Sequence, residues 1–163
     1  MQSITLDAID LQLLDLLQHD AAQSNQALAE RVHVSPPTCL RRVKRLHDVG
    51  LIERQVALLQ PDRLAALQGH GLACIVEVSL DRQSTEALDA FEARAVADAE
   101  VQQCWRVSPG PDFVLVVHTR DMPGYLALSQ RLFTADANVR NVKAFFSTKR
   151  AKFETKVPLA LNT

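Results

Sequence analysis

Between Leu6 and His19 the apolar residues fall at Leu6, Ile9, Leu13, Leu16 and Leu17, spacings of three and four that gather them on one helix face. Asp7 and Asp10 occupy the first turn of that helix, where carboxylates oppose the positive end of its dipole, and His19 lies in the last. Ser24 suits the N-cap of a second, short helix, NQALAERV, with Ala27, Leu28 and Val32 as its apolar face and small Ala29 permitting close approach. After His33 and Val34, the triplet Ser35-Pro36-Pro37 marks the start of a third helix. A residue before proline is held extended, as an N-cap must be, and prolines at the first two helical positions forgo only N–H groups that have no helical partner. The pattern continues through TCLRRVKRLHDV, with Leu40, Val43 and Leu46 toward the core, and stops at Gly50, a residue suited to a left-handed cap. Thr38, Arg41, Arg42, Lys44 and Arg45 then mostly face outward.

Residues 52–59 read as a strand or extended hinge that Pro61 ends, inside a linker over 53–69. Beyond Gly69 the periodicity changes: strands over 72–80, 100–107, 112–119 and 139–148 alternate with helices over 84–98 and 121–134. The order strand, helix, strand, strand, helix, strand is the split pattern of a ferredoxin-like βαββαβ sandwich. Between its two central strands lies Ser108-Pro109-Gly110-Pro111, a turn-rich hairpin connection. The predicted class is α+β, with a three-helix domain and hinge over 1–60 and the sandwich over 61–163.

Composition bounds this reading. With 47% hydrophobic and 23% charged residues the chain can bury a core rather than remain disordered. No apolar run approaches the roughly 18 residues of a membrane helix, and the N-terminal segment has no signal-like pattern, so a cytoplasmic protein without a membrane partner is expected. Cys39, Cys74 and Cys104 are widely spaced without a C-x-x-C pair, which argues for packed thiols and against a disulfide framework or a metal site. Motifs for phosphate loops, dinucleotides, zinc proteases and nucleophile elbows are absent, and His19, His33, His47, His70 and His118 are scattered without a clear acidic or thiol partner. A catalytic site and a cofactor are therefore not expected.

The net charge of −1 gives no basic surplus, yet Arg41, Arg42, Lys44 and Arg45 lie within five positions and no acid occurs between His33 and His47. Two short helices joined by a tight turn, the second cationic opposite its apolar stripe, match the helix-turn-helix that sets a recognition helix in the major groove. Ser35, Pro37, Thr38, Arg41 and Arg42 become candidates for bases or neighbouring phosphates at the polar start of that helix, and Lys44 and Arg45 for the backbone. Arginine is suited to guanine, whose two acceptors match its fork.

Several segments, in order and spacing, carry a resemblance: LDAIDLQLLDLLQHDAAQSNQALAERVHVSPPTCLRRVKRLHDVGLIER, then VALLQPDRL, CWRVSPGPDF and DMPGYLALSQRLF. Over almost its whole length the chain resembles the leucine-responsive and asparagine-operon regulators, the Lrp/AsnC family. The resemblance implies a winged helix-turn-helix joined by a hinge strand to an αβ sandwich. It implies double-stranded DNA with a pseudo-palindromic operator as partner, and homodimers that assemble further, up to octamers. It also implies a small-molecule effector, an amino acid, at a contact between dimers, which carries Ser108, Gly110 and Asp112 over as pocket residues with Met122 and Tyr125 after them. Two departures stand out. His33 occupies a turn position where relatives commonly have glycine, and Pro109 takes the usual glycine place in the hairpin, with Gly110 one later. Histidine is among the non-glycine residues tolerated at positive φ. Two alternatives share this architecture: an enzyme resembling the sirohaem decarboxylases, which would not need a cationic recognition helix, and an architectural DNA-binding protein that senses nothing.

Overall fold

The computed structural model describes residues 4–69 and 71–160; His70 lies outside them. The chain forms two compact units, one running through Leu58 and including the segment from Lys152 on, the other Leu59–Ala151.

In the first unit, α1 (Ala8–His19) begins at a reciprocal cap: Asp10 N donates to Asp7 Oδ1 at 2.9 Å and Asp7 N to Asp10 Oδ2 at 3.2 Å. Short α2 (Asn25–Arg31) is capped by Ser24, whose Oγ accepts from Ala27 N at 3.2 Å. The third helix, α3 (Pro36–Asp48), starts at the double proline and is followed by Gly50 at φ 75°. Leu13, Leu28, Ala29, Val32, Cys39 and Leu46 form the buried core, flanked by Leu6, Ile9, Leu16, Leu17 and Val43. Each such leucine or valine, fully removed from water, contributes roughly 1.5–3 kcal/mol.

The inward face of α3 corrects the sequence reading: Cys39 is fully buried, whereas Leu40 is 59% exposed. After Ile52, residues 53–60 are neither helix nor strand, so the expected hinge strand and wing have no sheet partner among the described residues. The segment from Lys152 runs beside α1. Gln18 donates its amide to the carbonyl of Val157 and accepts from its N–H, both at 3.0 Å.

The second unit opens with α4 (Pro61–Gln68), where a linker was expected; Pro61 at its first position and Gly69 at φ 96° bound it. Strands β1 (Leu72–Leu80), β2 (Val101–Arg106), β3 (Phe113–Thr119) and β4 (Val139–Phe146) form one antiparallel sheet in the order β2-β3-β1-β4, the ferredoxin-like arrangement. Helices α5 (Thr85–Ala97) and α6 (Met122–Ser129) supply Phe91, Ala95, Tyr125 and Leu128 to its core. A π-helical turn, Gln130–Thr134, continues α6 where a single helix was expected over 121–134. Inward positions alternate strictly along β1 and β3, with Val76, Val78, Phe113, Leu115 and Val117 fully buried. Ile75 on β1, Trp105 on β2 and Phe145 on β4 are about half exposed.

Candidate nucleic-acid interface and effector loop

Helix α2 is followed by its C-cap Val32, and the chain turns through His33 at φ 55°, bringing Val34 N to the carbonyl of Ala29 at 3.0 Å. A left-handed turn at this point gives α3 its angle to α2, and histidine adopts that conformation without a glycine's freedom. Asn25 fixes the same junction from the other side, its amide donating to the Pro36 carbonyl at 2.8 Å. The sequence reading missed this contact. Ser35 sits at the N-cap with an extended backbone, but its hydroxyl donates to Thr38 Oγ1 at 2.9 Å rather than capping.

The cations of α3 divide by helical phase. Pro37, Leu40, Arg41 and Lys44 are spaced three and four apart and are all exposed, forming one outward stripe. Lys44 carries an ion pair to Asp48 one turn on, at 2.7 Å between two well-exposed side chains. Arg41 has no carboxylate partner among the described residues. Arg42 turns the other way. Its Nη1 donates to Asp7 Oδ2 at 2.7 Å and to Asp10 Oδ1 at 2.9 Å, while Arg45 Nη2 reaches Asp10 Oδ2 at 2.5 Å. Asp10 is 1% exposed and Arg42 24%, so Arg42 and Arg45, two of the three α3 arginines, are tied to a buried carboxylate on α1. The Asp10 amide and then the Arg42 guanidinium hold the Asp7 carboxyl below the usual carboxylate range, and the same carboxylates raise Arg42. Thr5, Asp7, Asp10, Arg41, Arg42 and Arg45 line an open crevice of about 440 Å³.

In the second unit the hairpin over 107–112 is closed by Val107 N donating to the Asp112 carbonyl at 3.1 Å. Asp112 is engaged by β1: its N–H donates to the Val78 carbonyl at 2.9 Å and its Oδ2 accepts from Leu80 N at 2.7 Å, where the β1–β4 register shifts. Its carboxylate therefore organises the strand end. Ser108 and Gly110 are exposed, Gly110 at φ 125°. Met122, the first residue of α6, is 44% exposed, and Tyr125 is buried edge-on against Phe146 with ring centres 4.9 Å apart. Burial pushes the Tyr125 phenol up.

These five residues do not converge within one chain. Phe113 pairs with Val78 and Thr119 with Leu72, so the hairpin lies at one end of β3 and α6 begins at the other. A seven-residue strand separates them by about 20 Å.

A cationic helix-turn-helix followed by a ferredoxin-like sandwich defines the class of a one-component DNA-binding regulator. Residues 6–47 match the AsnC-type helix-turn-helix domain and residues 73–157 the Lrp/AsnC ligand binding domain. The leucine-responsive regulatory protein of Rhizobium meliloti is 36% identical over 91% of this chain and 93% of its own length. The DNA-binding transcriptional activator DecR of Escherichia coli K12 is 34% identical over 94% and 99%. Among solved structures, the transcriptional regulator NMB0573 of Neisseria meningitidis in its complex with L-Met superposes with a TM-score of 0.83 at 31% identity, covering 96% of this chain and 98% of that one. The chain belongs to the Lrp/AsnC family and is a DNA-binding transcription regulator of that type, with a ligand-binding second domain. Among the described residues no helix is long and apolar enough to cross a membrane.

Proposed function

We propose that the chain is an amino-acid-responsive regulator that reads DNA with the outward face of α3. The observation that carries this reading is the division of the cations: Arg41 and Lys44 point away from the protein on one stripe, while Arg42 and Arg45 bind Asp10 and brace the helix. Ser35, Pro37 and Thr38 lie at the end of the helix that enters the groove first, where side chains reach base edges. Arg41 contacts a base or its phosphate, Lys44 contacts the backbone, and Arg42 and Arg45 set the angle of the helix, Arg45 with its outer edge toward phosphate.

Residues 1–60 do the binding and the sandwich from 61 on does the assembly and sensing, as in the family. The half-exposed sheet residues Ile75, Trp105 and Phe145 are apolar enough to be covered by a second copy. A two-fold dimer then presents paired α3 helices to a pseudo-palindromic operator. The effector is an amino acid held between subunits. Ser108, Gly110 and Asp112 come from one copy and Met122 and Tyr125 from another, an arrangement that the separation of about 20 Å within one chain supports. The likeness to a regulator solved with L-Met supports an apolar or sulfur-containing ligand. The protein acts in the cytoplasm, where its DNA is, and does not act as an enzyme.

The deciding experiment combines gel-shift titration on operators selected from random DNA with calorimetry across the amino acids. Sequence-selective binding modulated by one amino acid is the expected result. Binding without sequence preference would remove the recognition role, and silence from every amino acid would remove the sensing role.

A further inference from the structure

Leu40 is 59% exposed in the middle of a cationic stripe, on a helix whose inward face is already filled by Cys39, Val43 and Leu46. An isolated exposed leucine is ordinary on a protein surface. The placement of this one is informative: Pro37 lies one turn before it, Lys44 one turn after, and Arg41 beside it. A protein partner covering Leu40 would also have to desolvate the Arg41 and Lys44 charges. A polyanion meets both cations and can offer Leu40 an apolar group only where its surface carries one. In the major groove that group is the C5-methyl of thymine, the one hydrocarbon group among the base edges.

We infer that Leu40 is a specificity-determining residue that packs against the methyl group of a thymine at a fixed place in each half-site, next to the contact made by Arg41. The inference rests on the reading that the outward face of α3 lies in the major groove. It assigns part of the sequence discrimination to an apolar side chain, whereas a phosphate contact such as that of Lys44 supplies affinity that depends weakly on sequence.

The test uses the full chain and a selected operator in which each thymine of one half-site is replaced in turn by uracil, which deletes only the methyl group. At one thymine, uracil should weaken wild-type binding about fourfold, the effect of burying one methyl-sized group. Leu40→Ala should bind thymine and uracil duplexes equally, at the level of wild type on uracil. Leu40→Met, which keeps apolar reach, should retain part of the difference. Wild-type indifference to uracil at every thymine, or a full thymine preference persisting in Leu40→Ala, would overturn the inference. Arg41→Ala separates the two levels of the argument. If it weakens binding while uracil has no effect, the groove reading stands and only the thymine contact falls. If Arg41→Ala binds like wild type, the groove reading itself falls.

Discussion

Asp10 on α1 accepts from Arg42 on α3 at 2.9 Å, a contact between residues 32 positions apart that sets which cations of the recognition helix remain available to DNA. The carboxylate is 1% exposed and also takes Arg45, so it pairs with two guanidinium groups beside the helical core, Asp7 supplying the second negative charge at Arg42. Asp10→Ala removes the acceptor of both guanidinium bonds and of the Asp7 N–H, while Arg42 keeps Asp7 and Arg45 remains solvated. The substitution is therefore expected to destabilise the first unit by about 1–3 kcal/mol. Urea unfolding followed by circular dichroism of the helical signal checks this, and a loss within 0.5 kcal/mol, the scale of a neutral surface change, would show that the pair is not structural.

The same geometry makes the α3 substitutions separable. Arg41→Ala should cost on the order of 1–3 kcal/mol on the operator, with relaxed specificity if its contact is to a base. Lys44→Ala should weaken all sequences alike and lower the salt slope by about one. Arg42→Ala should lower the melting temperature first, because its Nη1 holds both Asp7 and Asp10, and affect DNA through the loosened helix. Gel shifts at two salt concentrations beside thermal melts distinguish the three patterns. An Arg42→Ala protein with wild-type melting and a reduced salt slope would mean that this side chain leaves α1 for phosphate.

Asp7 provides a pH dependence of known sign. Its carboxyl is held low in the folded chain by the Asp10 amide and by Arg42, so folding favours its ionised form. That contribution is complete above the ordinary aspartate range and is lost as pH falls through the lowered value. Acid titration of the melting temperature should thus show a decline below about pH 4 that is shallower in Asp7→Asn. Because Asp7 is 52% exposed, solvent screens the effect and a small difference is expected. Parallel curves for the two proteins would show that Asp7 does not contribute to acid lability.

Much of this architecture was legible in the sequence, and the parts that were not share a cause. The double proline after Ser35 located the start of α3, and the βαββαβ order followed from period changes alone. The same signals, Pro61 and Gly69, bound α4 and went unread because the apolar pattern between them is weak. Val43 and Leu46 face the core as read, but Leu40 was placed inward because it outranks Cys39 in any apolar count, and Arg42 outward because nothing local shows that it meets an acid on α1. Periodicity reports a helix's own preference; the buried ion pair is a tertiary fact. Asp112 is similar: its bond to Leu80 N joins positions 32 apart, so a residue that resembles a pocket carboxylate also serves as a strand-end brace.

Assembly should reside in the sheet. Trp105 and Phe145 on β2 and β4 are 58% and 52% exposed, and a second copy covering them excludes water from both. Trp105→Glu and Phe145→Glu are each expected to shift the oligomer toward monomer in light scattering and to weaken operator binding in proportion. A fragment from about residue 65 onward should stay oligomeric without binding DNA, although it carries the segment from Lys152 that packs beside α1 in the whole chain. A monomeric fragment would place assembly elsewhere.

The effector pocket yields the most demanding test, because Asp112 has a structural task. Its Oδ2 accepts from Leu80 N at 2.7 Å, which leaves further acceptor capacity on the carboxylate for the ammonium of an amino acid. Asp112→Ala removes both contacts and confounds a lost ligand with a loosened strand end. Asp112→Asn keeps an oxygen for the Leu80 amide and removes the charge. If the carboxylate binds the ammonium, this variant should melt near wild type in the absence of ligand and lose at least tenfold in affinity, since charge-assisted bonds are roughly twice as strong as neutral ones. Met122→Ala should weaken an apolar or sulfur-containing ligand more than a small polar one, because its half-exposed thioether offers contact area and no hydrogen-bond strength. With the five residues meeting across subunits as proposed, ligand should change the oligomer distribution along with the melting temperature, to an extent limited by its differential affinity for the two assemblies. Calorimetry and sedimentation on wild type, Asp112→Asn and Met122→Ala read all three effects. Undiminished heat in Asp112→Asn would leave Asp112 with its structural role alone, and a ligand that binds without altering assembly would place the pocket within a single chain.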